Sequence, residues 1–82
     1  ADVFLLDEPT AGVSPEMVRL LLDLIRRLAE EGKTIVVIEH NMNVVMEVAD
    51  WVFLMDNGQI VAFGLPDEVL GDRAVRAAYL GL

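Results

Sequence analysis

Asp7-Glu8 and His40 are the positions at which this chain can do proton and phosphate chemistry. The two acids directly follow the apolar run Val3-Phe4-Leu5-Leu6, and His40 closes a second run, Thr34-Ile35-Val36-Val37-Ile38. Each run reads as a short strand buried on both faces, as in a parallel sheet. Ligands of open α/β sheets sit at the carboxyl ends of parallel strands, where Asp7 and His40 would share one edge. Asp7, in strand register, can hold a magnesium ion, often through water. Glu8 points another way and can orient or deprotonate a water. Pro9 biases Glu8 toward an extended backbone. Neutral imidazole can donate one hydrogen bond to a phosphate oxygen while its other nitrogen accepts one. Blander readings exist: acids also mark where a loop begins, and a lone histidine is as readily a structural residue.

The elements that must position these groups follow from the intervening sequence. Thr10 to Ser14 reads as loop. Ser14-Pro15-Glu16 is a helix start, with Ser as N-cap, Pro at the first helical position and an acid in the first turn. The helix should run to about Glu31 and stop at Gly32, with Met17, Val18, Leu21, Leu24, Ile25 and Leu28 on its inward face. Arg19/Asp23, Asp23/Arg27, Arg26/Glu30 and Arg27/Glu31 are spaced for i,i+4 pairing on the solvated face. Asn41 to Ala49 reads as a second helix, with Met42, Val45, Met46 and Ala49 inward. Trp51 to Met55 is a third strand, Asp56-Asn57-Gly58 a hairpin turn, and Gln59 to Phe63 the antiparallel return. Leu65-Pro66-Asp67-Glu68 opens short helices ending near Leu80. The fold class is α/β, with a parallel βαβ unit, a C-terminal antiparallel hairpin and short terminal helices.

Composition narrows the function further. At 82 residues the chain lies below the usual domain size of ~100–150 residues, so it is one domain at most. It should bury only about 60–65% of its unfolded surface. Yet 55% of its residues are hydrophobic, more than the ~45–50% of ordinary domains. Such an excess points to a piece of a larger core or to an obligate oligomer. Fourteen acids against six bases leave a net charge of −8, which offers no footprint for nucleic acid and no attraction to anionic membranes. There is no cysteine, so disulfides and thiolate zinc sites are excluded. No apolar run approaches the ~20 residues that span a bilayer, and the first residues lack a basic signal-peptide region. Gly32-Lys33-Thr34 looks like the tail of a phosphate-binding loop, but Arg27 stands where its first glycine belongs. That loop also follows a strand and precedes a helix, the reverse of the order here.

Val3-Phe4-Leu5-Leu6-Asp7-Glu8-Pro9-Thr10 resembles the Walker B segment of ABC-transporter ATP-binding subunits. Ala11-Gly12-Val13-Ser14-Pro15 stands where that family has its D-loop, and Ile38-Glu39-His40-Asn41-Met42 looks like its switch-histidine segment. Val48-Ala49-Asp50, Asn57 to Gly64 and Pro66-Asp67-Glu68-Val69 extend the match over the whole chain. Ala78-Tyr79-Leu80-Gly81 is similar to the ending of subunits that serve branched-chain amino-acid importers.

The resemblance implies a partial P-loop NTPase-like fold and a set of roles. Asp7 would coordinate the Mg²⁺ of MgATP, Glu8 would act on the attacking water, and His40 would contact the γ-phosphate. The D-loop residues Ala11, Gly12, Val13 and Ser14 would reach the nucleotide site across a head-to-tail dimer with a second ATP-binding subunit. Partners would include transmembrane permease subunits, with the ATPase cytoplasmic and peripheral on the inner face of the membrane. Ser14 departs from the Asp of many relatives, and Trp51 stands where a basic residue is common. Walker A, glutamine loop and signature motif are absent, so residues 1–82 read as the C-terminal portion of such a domain, expected to be inactive alone and to self-associate. The rival expectation is a non-enzymatic interaction module that retains an ATPase-like remnant.

Overall fold

A computed structural model describes residues 2–80. Gly81, the last residue of the importer-like ending, lies outside the described residues. The chain divides into two compact units, Ala1–Val44 and Val45–Leu82.

In the first unit β1 (Val3–Asp7) and β2 (Thr34–Ile38) pair in parallel, with Val3 opposite Thr34 and Asp7 opposite Ile38. Parallel neighbours need a long crossover, and α1 (Pro15–Glu30) supplies it. Its start is as the sequence reads: Ser14 accepts from the Met17 N–H at 3.3 Å, with Pro15 in the first turn. Its end is a Schellman motif. The Lys33 N–H bonds to the Leu28 carbonyl at 3.1 Å and the Gly32 N–H to that of Ala29 at 3.0 Å. Gly32 takes φ 86° there, a conformation that costs other residues a steric penalty. Lys33 then reaches Asp2 at 2.8 Å and joins the start of β1 to the start of β2. On the solvated face Arg26 pairs with Asp23 at 3.5 Å, an i,i+3 arrangement.

The inward face of α1 is rotated from the expected one. Leu22, which the sequence reading left out, is 3% exposed and Ile25 is also buried, whereas Leu24 is 48% exposed and Met17 lies open. Apolar residues at 20, 21, 22, 24 and 25 make the stripe wider than one partner can cover. The part that packs on β2 is therefore chosen by the sheet, not by the periodicity.

The strands are likewise not buried on both faces. Along β2 half-buried Ile35 and Val37 alternate with exposed Thr34, Val36 and Ile38. Val3 and Leu5, opposite Thr34 and Val36, are 67% and 66% exposed. One face meets α1, and the other, although equally apolar, has no cover among the described residues.

The helix α2 (Met42–Val48) buries Val44, whereas Met46 is exposed, which reverses the expected inward set at those positions. Asn41 caps it, its Oδ1 accepting from the N–H groups of Asn43 (3.1 Å) and Val44 (3.4 Å).

In the second unit β3 (Val52–Asp56) and β4 (Gln59–Gly64) form an antiparallel hairpin. Asn57 and Gly58, both at positive φ, give the turn whose twist suits a two-residue hairpin. A bulge shifts the register between Leu54 and Met55. Trp51 precedes the strand and lies 6.3 Å from Phe63, itself 6.1 Å from Phe53, measured between ring centroids. The short helices α3 (Pro66–Leu70) and α4 (Arg73–Val75) and a π-helical turn over Arg76–Leu80 follow, and Val69 and Leu70 join Val52 in the small core.

Two outcomes follow in the 82-residue chain. Leu22→Ala should cost about 2–4 kcal/mol in urea unfolding and Leu24→Ala under about 0.5 kcal/mol; equal losses would mean that another face of α1 is buried. The open apolar sheet face should drive concentration-dependent association in sedimentation velocity, weakened by the double change Leu5→Lys and Val36→Lys.

Candidate active site at the strand ends

The parallel ladder runs one bond beyond β1, with the Glu8 N–H donating to the Ile38 carbonyl at 2.7 Å. The chain then turns, and the Ala11 N–H closes on the Glu8 carbonyl at 3.1 Å. Pro9 is the second residue of this turn, where its fixed φ is favourable. Glu8 does not take the extended conformation expected before proline. Its φ is 48°, in the left-handed region. Such a backbone persists in a residue with a Cβ only where its surroundings over-determine it. Here the ladder bond holds one side of Glu8 and the turn bond the other.

The Glu8 carboxylate meets the His40 imidazole, with Nδ1 against Oε1. With Nδ1–H donating, Nε2 remains to accept or, in the imidazolium, to donate. The imidazole is 86% exposed, so its outer edge is open to a ligand. Asp7 is exposed on the same sheet face as Val3 and Leu5, and its carboxylate has no side-chain partner among the described residues. The structure thus joins Glu8 to His40 and places Asp7 beside them in sequence without bonding it to either.

No group of three His, Asp or Glu among the described residues could hold a metal ion alone. Magnesium needs no such cage, because it binds through one or two carboxylates, retained waters and substrate phosphates. The free carboxylate of Asp7 fits that donor set. Ala11, Gly12, Val13 and Ser14 are all exposed and run from the Glu8 turn to the N-cap of α1. Ser14 performs the capping that an Asp could equally perform.

Two polar residues escaped sequence reasoning. Thr10 is 9% exposed, the buried polar residue among those described, and its Oγ1 donates to Glu39 Oε2 at 2.8 Å. Glu39 Oε1 accepts from the backbone N–H groups of His40 (3.2 Å) and Asn41 (3.4 Å). The available signal was a charge placed between an apolar strand and the histidine.

Residues 59–81 match the family model described as branched-chain amino acid ATP-binding cassette transporter. The arginine transport ATP-binding protein ArtM of Bacillus subtilis is 46% identical over 67 residues, which cover 82% of this chain and 28% of that protein. The energy-coupling factor transporter ATP-binding protein EcfA of Methanosarcina acetivorans is 42% identical over 81 residues, 99% of this chain and 28% of its own length. The ADP conformation of MJ1267, an ATP-binding cassette of an ABC transporter, superposes with a TM-score of 0.82 at 33% identity, over 99% of this chain and 34% of that one. The chain belongs to the ATP-binding-cassette family. Its α/β fold is a partial P-loop NTPase-like one, spanning about a third or less of the relatives it matches. No helix of the described residues is long and apolar enough to cross a membrane.

Because the Glu8 and His40 side chains are both exposed, their contact is weakened by competing water. His40→Ala should therefore shift the unfolding midpoint by less than about 1 kcal/mol equivalent; a larger loss would make the pair a structural prop instead.

Proposed function

We propose that this segment of an ATP-binding cassette is its C-terminal portion and carries the hydrolytic half of an ATPase site. The Glu8–His40 contact at the ends of two parallel strands is the observation that supports this most directly. Glu8 orients the attacking water and takes its proton as the water oxygen bonds to the γ-phosphorus and the bond to the departing ADP breaks. His40 presents Nε2 to a γ-phosphate oxygen. Asp7 holds the Mg²⁺ of MgATP, which supplies charge neutralisation on the phosphates when bound. Ala11 to Ser14 extend toward a second ATP-binding subunit in a head-to-tail dimer.

The wider assignment rests on the relatives. Proteins named for arginine transport and for energy-coupling factor transport align with most of this chain, at 46% and 42% identity. The match over residues 59–81 favours uptake of branched-chain amino acids. In this reading the whole protein is cytoplasmic, seated on permease subunits at the inner face of the membrane. A second reading, a non-enzymatic interaction module, draws on the open faces at Val3, Leu5, Val36 and Ile38.

Turnover separates the two readings. Expressed from its complete reading frame, the protein should hydrolyse ATP with Mg²⁺, and Glu8→Gln should lower kcat by about 10²–10⁴-fold. The 82-residue segment alone, without a phosphate-binding loop, should show no turnover. Absence of ATPase activity in the complete protein selects the interaction module, and Glu8-dependent turnover by the segment refutes the need for the missing cradle.

A further inference from the structure

We infer that Glu39 is a positioning residue, which, with Thr10, sets the Glu8–His40 pair by tying together the two loops that carry it. Thr10 lies two residues after Glu8, and Glu39 lies one residue before His40. The carboxylate of Glu39 spans them. Oε2 takes the Thr10 hydroxyl at 2.8 Å, and Oε1 takes the N–H groups of His40 at 3.2 Å and Asn41 at 3.4 Å. A carboxylate accepting from neutral donors makes stronger and more directional bonds than a neutral acceptor would. The Thr10–Glu39 bond joins positions 29 residues apart in the chain.

The other roles open to Glu39 are already filled or lack a partner. The first turn of α2 is capped by Asn41, not by Glu39. Glu39 forms no ion pair among the described residues, so its charge serves the Thr10 hydroxyl and the two loop amides. Among the described residues the Glu39 side chain bonds to neither the Glu8 nor the His40 side chain, so it acts through the loops and not on a reacting atom. The strained φ of Glu8 needs such support. The ladder and turn bonds fix its backbone, and the Thr10–Glu39 bond fixes where the turn sits relative to His40.

The kinetic arm of the test rests on the proposed function; a spectroscopic arm does not. In the protein from the complete reading frame, Thr10→Val and Glu39→Ala should each lower kcat about tenfold or more and leave KM for ATP within about twofold. The double variant should be no slower than the slower single one, because the pair acts as a unit. Thr10→Ser, which keeps the hydroxyl, should restore most of the rate. So should Glu39→Gln, whose amide oxygen can accept from the loop and whose amide nitrogen can donate to Thr10. Glu39→Asp keeps the charge but shortens the reach, so it should be slow while folded; it serves if the alanine variant does not fold.

In the 82-residue chain His40 is the only histidine, so its imidazole ¹⁵N signals are unambiguous. They should report a proton held on Nδ1 in the native chain and a mixed tautomer population in Thr10→Val and Glu39→Asp. Unchanged signals in folded variants would overturn the inference. So would kcat losses that merely track the fraction unfolded. If the native protein hydrolyses no ATP, the functional reading fails and the imidazole spectrum alone decides this one.

Discussion

The parallel register of β1 and β2 is the constraint on which the site depends. Pairing Val3 with Thr34 carries Asp7 to Ile38, and the ladder closes one bond later at Glu8. Two loops therefore leave the same edge of the sheet at nearly the same level. A slip of β1 by one residue would turn Phe4 and Leu6 away from α1 and shift Glu8 relative to His40. The register is defended at both ends of the crossover. Ser14 starts α1, the Gly32 Schellman motif stops it, and Lys33 joins Asp2 where the strands begin.

Above that edge the structure changes its means of support. Below it, apolar packing and ladder bonds decide the geometry. Above it the side chains are largely exposed, and polar bonds decide. Glu8, His40, Thr10, Glu39 and Asn41 hold a short run of irregular backbone in one arrangement, including a left-handed Glu8. Local strain of this sort is found where the surrounding contacts over-determine it, and such places cluster at sites of function. Asp7 stays free of this network, its carboxylate exposed and without a side-chain partner among the described residues.

The surplus of apolar surface has the same origin as the surplus in composition. Val3, Leu5, Val36 and Ile38 on the sheet, Leu20 and Leu24 on α1, and Trp51, Phe53 and Phe63 on the hairpin are all exposed. The chain spans about a third or less of the relatives it matches, and these faces have no cover among the described residues. The expectation of strands buried on both faces follows from the residue types, and the exposure of Val3, Leu5, Val36 and Ile38 overturns it. A single helix on a two-stranded sheet covers only one side.

By itself the sequence determined the elements, their caps and the residues able to do chemistry. Those properties are local: a serine before a proline, a glycine after a helix, apolar runs followed by acids or by histidine. It could not decide which arc of α1 turns inward, because five apolar residues crowd its middle and only the position of the sheet selects Leu22 over Leu24. Nor could it show that Glu8 adopts a left-handed backbone or that Thr10 and Glu39 meet. Those outcomes depend on loops 29 residues apart arriving at one edge, and that proximity exists only once the parallel strands have paired.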